Sequence, residues 1–106
     1  INKFKNEYNN NVAMKNKNII KVRKKLDKLD DKLLLIFKKR TLLVNKILSS
    51  KTYKNQIIDK KRIKVILKRI KKKSKKNRID PKITHRIWKS IIGAYIDYEF
   101  RNFKKK

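Results

Sequence analysis

The sequence predicts an all-α protein: a three-helix protomer with a very long first helix. The 106-residue chain contains one Gly and one Pro, so it has few residues with which to build the tight turns of a sheet. Apolar residues recur every three or four positions from Ile19 to Lys51, the spacing of one helix face. Asp80 followed by Pro81 is a strong helix start, because Asp caps the first turn and Pro suits the first helical position.

The first helix is predicted over residues 18–50. Its apolar stripe, about nine turns long, is too long for the rest of the chain to cover, and a second copy is its natural partner. We therefore expect an intertwined homodimer. Residues 1–17 are rich in Asn and Lys with little periodicity, which predicts a flexible N-terminal arm before a helical domain at 18–106. Met14 directly precedes the periodic segment and is expected to be the natural start.

Two shorter helices are predicted after a loop at 49–56. The second helix covers about 57–74, and Asp59 lies near its N-terminal turn, where the helix dipole favours a carboxylate. The polar segment 74–79 connects it to a third helix that runs to about residue 103. Their predicted inward residues are Ile58, Arg62, Ile66 and Ile70 in the second helix, and Ile83, Ile87 or Trp88, Ile91 or Ile92, Tyr95 or Ile96, and Glu99 in the third.

Ionisable residues interrupt all three apolar faces: Arg23, Arg40, Lys51, Arg62 and Glu99. A buried cation costs several kcal/mol unless an opposite charge compensates it. Four cations and one carboxylate would suit a small, doubly charged anion. Arg23 and Arg40 lie about 26 Å apart along one helix, so Arg23 can serve the same kind of pocket only from an antiparallel partner helix. The alternative is that the stems pack while the charged heads reach water, and periodicity leaves both interpretations open.

The formal net charge of +27 indicates a polyanionic partner, since affinity for nucleic acids grows with the number of phosphates neutralised. However, the basic residues are spread over all predicted faces, and no known nucleic-acid motif is present. Codons made only of A and T can also encode Lys, Asn and Ile. An AT-rich genome can therefore produce a lysine-rich surface without selection for nucleic-acid binding. We expect no specific nucleic-acid partner, and a non-enzymatic basic helical nucleic-acid-binding protein is an alternative.

The sequence lacks the residues of several other chemistries. The absence of Cys excludes disulfides and thiolate metal sites, which fits a reducing cytoplasm. No apolar run approaches the roughly 20 residues of a membrane span. No Ser-His-Asp set, metal-ligand cluster or Gly-rich phosphate loop is visible. We therefore expect a cytoplasmic protein without a cofactor, a metal or a membrane partner.

Five short motifs follow one another between residues 22 and 99. They are V-R-x-x-L-D-x-L-D-x-x-L-L-x-I-x-x-x-R at 22–40, Lys51, D-K-K-R at 59–62, I-D-P at 79–81 and I-I-x-x-Y-I-x-Y-E at 91–99. In this order and spacing, the chain resembles the all-helical chorismate mutases over about residues 19–103. The resemblance implies intertwined dimers of three-helix protomers with two equivalent sites, each completed by one arginine from the partner.

The resemblance also implies the substrate and the residues that act on its breaking bond. Chorismate would be rearranged to prephenate, a step toward phenylalanine and tyrosine. Arg40, and Arg23 of the partner subunit, would hold the substrate's carboxylates, with Arg62 supporting them. Lys51 would donate a hydrogen bond to the ether oxygen of the breaking C–O bond, together with Glu99.

Two further positions are assigned by the same resemblance. Asp59 would bind the ring hydroxyl through its backbone and help fix the end of the second helix. Tyr95 lies where many mutases have a small hydroxyl residue and where the related isochorismate pyruvate lyases have Tyr.

Two positions depart from the pattern of the family. Bacterial members usually have Gln at the position of Glu99, and an ionised Glu99 would repel the ether oxygen, so we expect it to act in its protonated form and activity to fall as pH rises. Ile63 replaces a Glu that binds the ring hydroxyl in many mutases. Ile63 and Tyr95 favour an isochorismate pyruvate lyase on the same scaffold, whereas Asp59 favours the mutase, which is the predicted function.

Overall fold

The computed structural model describes residues 2–105, with side chains from residue 12 onward. These residues form three α-helices, α1 (Asn2–Ser49), α2 (Lys60–Lys76) and α3 (Pro81–Asn102), with a short 3-10 turn at Lys54–Gln56 and no strand. No helix in the described part of the chain is both long and apolar enough to cross a bilayer. The all-α class and the very long first helix are confirmed, and the intertwined homodimer stays a prediction.

The predicted start of the first helix near residue 18 was wrong, because α1 begins at Asn2. Residues 2–17 contain neither Gly nor Pro. Asn is less favourable than Ala in a helix by at most about 0.7 kcal/mol per residue, so no residue in this segment forces the helix to end. The division into an arm at 1–17 and a domain at 18–106 stays a prediction, and residue 1 lies outside the described residues.

The chain divides into two units, residues 1–40 and 41–106, with the boundary inside α1. In the first unit, nothing in the described part of the chain covers the apolar stripe of α1. Leu26 and Leu33, near the middle of the stripe, keep 52% and 48% of their surface exposed. Arg23 and Asp30, which interrupt the stripe, are exposed as well. The stripe therefore contributes little hydrophobic stabilisation within a single chain.

In the second unit, α2 and α3 pack against each other. The covered face of α2 differs from the predicted one, because the helix begins at Lys60 and leaves Ile58 outside it, while Arg62 is exposed. The inward prediction is confirmed for Ile66 and Ile70 and was wrong for Ile58 and Arg62. The covered or partly covered residues of α2 are Ile63, Ile66, Leu67, Ile70 and Ser74.

The covered face of α3 includes polar residues. Thr84 and Glu99 are buried, while Ile83 remains 56% exposed, so the inward prediction was wrong for Ile83. Of the alternatives Ile87 and Trp88, Ile87 is exposed and Trp88 is partly covered. Thr84 Oγ1 lies 2.7 Å from Ser74 Oγ, and Ser74 also donates to the carbonyl of Ile70 at 2.6 Å. These hydrogen bonds allow two hydroxyls to be buried where α2 and α3 meet.

The connection between α2 and α3 is a Schellman motif. The Ile79 amide donates to the Ser74 carbonyl at 2.9 Å and the Arg78 amide to the Lys75 carbonyl at 3.2 Å. Arg78 has a φ of 56°, the left-handed conformation that this motif requires and that Gly adopts without a Cβ clash. α3 begins directly after this connection. The Asp80 side chain caps it by accepting a hydrogen bond from the Lys82 amide, and Pro81 occupies the first helical position. The predicted helix start is therefore confirmed.

Substituting Arg78→Gly should stabilise the protein. The left-handed conformation costs a residue with a side chain about 1–2 kcal/mol, and Gly loses about 0.5–1 kcal/mol of extra entropy on folding, so the net gain should reach up to about 1 kcal/mol. Urea unfolding followed by circular dichroism measures this gain. The control is Arg78→Ala, which removes the same positive charge but keeps Cβ. An equal gain in both variants would show that charge, and not backbone conformation, limits this turn.

Candidate functional site

Lys51 and Glu99 form a largely buried ion pair. The Lys51 ammonium donates to Glu99 Oε1 at 2.9 Å, and the two side chains keep only 17% and 10% of their surface exposed. The pair joins the loop just after α1 to the start of the last turn of α3. Because each charge has lost most of its hydration, each depends on the other for compensation.

The position of Lys51 is set by the end of α1 and by the loop that follows it. The Lys51 amide donates to the Leu48 carbonyl at 3.0 Å, which adds a last turn to the helix. Leu48 and Ile57, 8% and 3% exposed, are the two buried apolar side chains among the described residues. They anchor the two sides of the loop. The Gln56 side-chain oxygen accepts from the Thr52 and Tyr53 amides at 2.8 and 2.9 Å, which holds the loop in shape.

Asp59 caps α2 beside the ion pair. Its Oδ1 accepts a hydrogen bond from the Arg62 amide at 3.0 Å, so it lies at the cap position and not inside the first turn. An open groove of about 570 Å³ contains both Lys51 and Asp59 in its lining. The other residues that line it are Gln56, Ile58, Lys60 and Lys61. Three ammonium groups and one carboxylate give this groove a net positive charge.

Tyr95 lies one helical turn before Glu99 on α3. Its hydroxyl is 2.8 Å from Thr41 Oγ1, and the Tyr98 hydroxyl donates to Asn45 Oδ1 at 2.7 Å. The two tyrosine rings meet edge to face, with centroids 6.2 Å apart. These contacts fix α3 against the last turns of α1, and therefore fix the helix that carries Glu99.

The three predicted arginines differ in their surroundings. Arg40 directly precedes Thr41 in α1, is partly buried, and has its Nη1 atom shielded from solvent. Arg62, predicted to face inward, is exposed and is not among the residues that line the groove. Arg23 is exposed on the first unit. Of the three arginines, Arg40 is thus the one that is partly buried within the described part of a single chain.

Sequence reasoning missed Gln56 and Thr41. Gln56 reaches back to the Tyr53 amide from three positions later, which is half of a capping box. The spacing of Tyr53 and Gln56 could therefore have predicted a structured loop after Lys51. Thr41 gave no comparable signal, because its partner Tyr95 is 54 residues away in the chain.

The family model of chorismate mutase type II matches residues 22–100. The matched region includes most of α1 and all of α2, and it ends within the last turn of α3. This chain belongs to the chorismate mutase type II family. Comparisons with curated proteins and with solved structures gave no significant match. The predicted resemblance to the all-helical chorismate mutases is thereby confirmed at the level of the family.

Proposed function

We propose that this member of the chorismate mutase type II family is an active chorismate mutase that converts chorismate to prephenate on the route to phenylalanine and tyrosine. The observation that carries the proposal is the Lys51–Glu99 pair beside a cationic groove. An ammonium group held at a fixed, poorly hydrated position interacts strongly with charge that develops on a bound substrate.

The residues suit a reaction that needs no nucleophile. In this rearrangement a C–O bond of the substrate breaks while a C–C bond forms within the same molecule, so no group is transferred to the protein. Catalysis then depends on holding the folded conformer and on stabilising negative charge on the ether oxygen. Lys51 has three N–H donors and uses one of them on Glu99, so another can be directed at that oxygen.

The arginines would bind the two carboxylates of the substrate. Arg40 is the best placed of them for a strong charge-assisted contact, because its guanidinium is partly desolvated. We propose that Arg23 of the partner subunit completes the clamp. Arg62 would support the clamp from the first turn of α2, where its amide is already held by Asp59.

Asp59 and Tyr95 would position the ring of the substrate. The Asp59 side chain caps α2 and its carbonyl accepts from the Ile63 amide at 3.0 Å, so its backbone amide, in an extended conformation, would meet the ring hydroxyl. The Tyr95 hydroxyl is held near Thr41, so the ring of Tyr95 is directed by α1 and not free to rotate. Ile63 supplies no polar contact.

The proposed homodimer follows from the exposed stripe of α1. A helix whose apolar side chains remain about half exposed gains stability when a second apolar face covers them, at about 25 cal/mol per Å² buried. An antiparallel second copy would supply that face and would bring its Arg23 toward the site of the first.

The direct test is an assay of the purified protein with chorismate and, separately, with isochorismate. We expect prephenate from chorismate. Arg40→Ala should lower kcat/KM about a hundredfold or more, because removing one partner of a desolvated charge contact costs several kcal/mol. Lys39→Ala, at an exposed neighbouring position, is the matched control and should keep nearly full activity. Pyruvate release from isochorismate without any prephenate would assign the lyase function instead.

Sharing of Arg23 between subunits is tested by mixing two inactive variants. When Arg23→Ala and Arg40→Ala chains are unfolded and refolded together, half of the dimers are mixed and each mixed dimer holds one intact site, so about a quarter of wild-type activity should return. Arg40→Ala mixed with Lys51→Ala is the control, since both changes affect the site of their own chain and no intact site forms. Equal recovery in the two mixtures, or none in either, would exclude the shared site.

Replacing Glu99 by Gln should alter how activity depends on pH. With substrate bound, we propose that Glu99 carries a proton: its Oε1 still accepts from Lys51, and its other oxygen, now protonated, donates to the ether oxygen. Gln donates that hydrogen bond at every pH, whereas Glu99 donates only in its protonated form. The wild-type rate should therefore fall as pH rises, and the rate of Glu99→Gln should change much less. Steady-state kinetics from acidic to alkaline pH measures both profiles. A wild-type rate that stays constant across this range would rule out a donating Glu99.

A further inference from the structure

The solvent face of α2 is the most strongly charged surface of the second unit. Nine lysines and two arginines occupy its 17 residues, and none is acidic. All eleven basic residues are exposed, and the partly or fully covered residues are apolar or Ser74. The expectation that basic residues are spread over all faces does not hold for α2, because the face that packs on α3 excludes them. We call the exposed side the α2 basic face.

Among the described residues of the second unit, no carboxylate forms an ion pair with this face. Residues 41–105 contain four acidic side chains. Asp59 and Asp80 cap the starts of α2 and α3, Asp97 pairs with Arg101 at 3.0 Å, and Glu99 pairs with Lys51. The α2 side chains thus form no ion pair within the described residues. Their mutual repulsion would be relieved by a partner that carries several negative charges.

The spacing of these charges fits an extended anion. A groove along α2 is lined by Val65, Lys68, Arg69, Lys72, Lys73 and Lys76, residues that recur at each helical turn. Successive turns are about 5.4 Å apart and the whole helix is about 25 Å long. One strand of a duplex advances about 3.4 Å per phosphate, so α2 spans roughly seven phosphates of a strand. A small metabolite would contact only a fraction of this length.

The face lacks the features that would favour other polyanions. An interfacial membrane helix needs a free apolar side, and the apolar side of α2 is occupied by α3, with Val65 as its one exposed apolar residue. Binding to single-stranded nucleic acid relies on aromatic side chains that stack on bases, and α2 contains no aromatic residue. A regular phosphate backbone remains as the best match.

We propose that the α2 basic face binds the phosphate backbone of double-stranded nucleic acid without reading its sequence. Lysine and arginine contacts to phosphate release condensed counterions, so the affinity should depend steeply on salt. This binding is independent of the proposed enzyme activity, because the residues at the centre of the face are not those assigned to the substrate.

The test is fluorescence anisotropy with a labelled 25-base-pair DNA of random sequence, and with an RNA duplex of the same length, titrated with the full chain at several salt concentrations. Lys68, Lys72 and Lys75 are changed together to Gln. This variant should bind about tenfold or more weakly at 100 mM salt, and its salt slope should fall by about 2.7, the value expected for three lost phosphate contacts. Circular dichroism checks that the helices are retained.

The matched control changes Lys21, Lys24 and Lys28, three exposed residues of α1, to Gln and removes the same charge. A twofold or smaller change in the control supports a localised face. Equal weakening in both variants would overturn the proposal in favour of diffuse net charge. The proposal would also fail if the wild-type chain bound vesicles of equal parts phosphatidylserine and phosphatidylcholine more tightly than either duplex, or bound neither duplex at 100 mM salt.

Discussion

The ion pair between Lys51 and Glu99 is the contact on which the second unit depends. It ties the end of α1 to α3 across 48 residues, and the Tyr95–Thr41 and Tyr98–Asn45 hydrogen bonds join the same two helices. With so little apolar surface fully buried, these polar contacts determine how the helices meet. Removing either charge would leave the other in a poorly hydrated position, which is strongly unfavourable.

The protein has two kinds of basic surface, and they differ in shape. Thirty-five basic residues face eight acidic ones, and the acidic residues of the second unit are all engaged in caps or ion pairs. Near Lys51, the cations surround a groove of a size that suits a small dianion. On α2 they form a long exposed row that suits a polymer. We thus propose two interactions for the same basic composition, and they differ in geometry.

The exposed stripe of α1 is the second constraint. Within the described residues, a helix with Leu26 and Leu33 about half exposed gains little from hydrophobic burial. The proposed homodimer would use this stripe as its interface and the neighbouring Arg23 in the site. In that proposal stability and catalysis depend on the same association, because the second copy both covers the stripe and supplies Arg23.

The sequence by itself determined the three helices, the family and the residues worth testing. Asp80 and Pro81 predicted the start of α3, and the spacing of apolar residues predicted a long first helix, because these signals act between residues less than two turns apart. Lys51 and Glu99 were recognised as misplaced charges on apolar faces, and the family motifs assigned them a shared role. Helical periodicity could not predict that they bind each other.

Only the tertiary structure decided which faces pack and which groups meet. It turned Arg62 outward, buried Thr84 in preference to Ile83, and brought Gln56 to the loop after Lys51. The start of α1 at Asn2 also escaped prediction, because a segment without breakers continues a helix even where it has no apolar face to bury. Local spacing defines which residues share one side of a helix. Which sides pack together depends on residues far apart in the chain. Those residues come into contact because the whole unit must bury its apolar surface and compensate its charges.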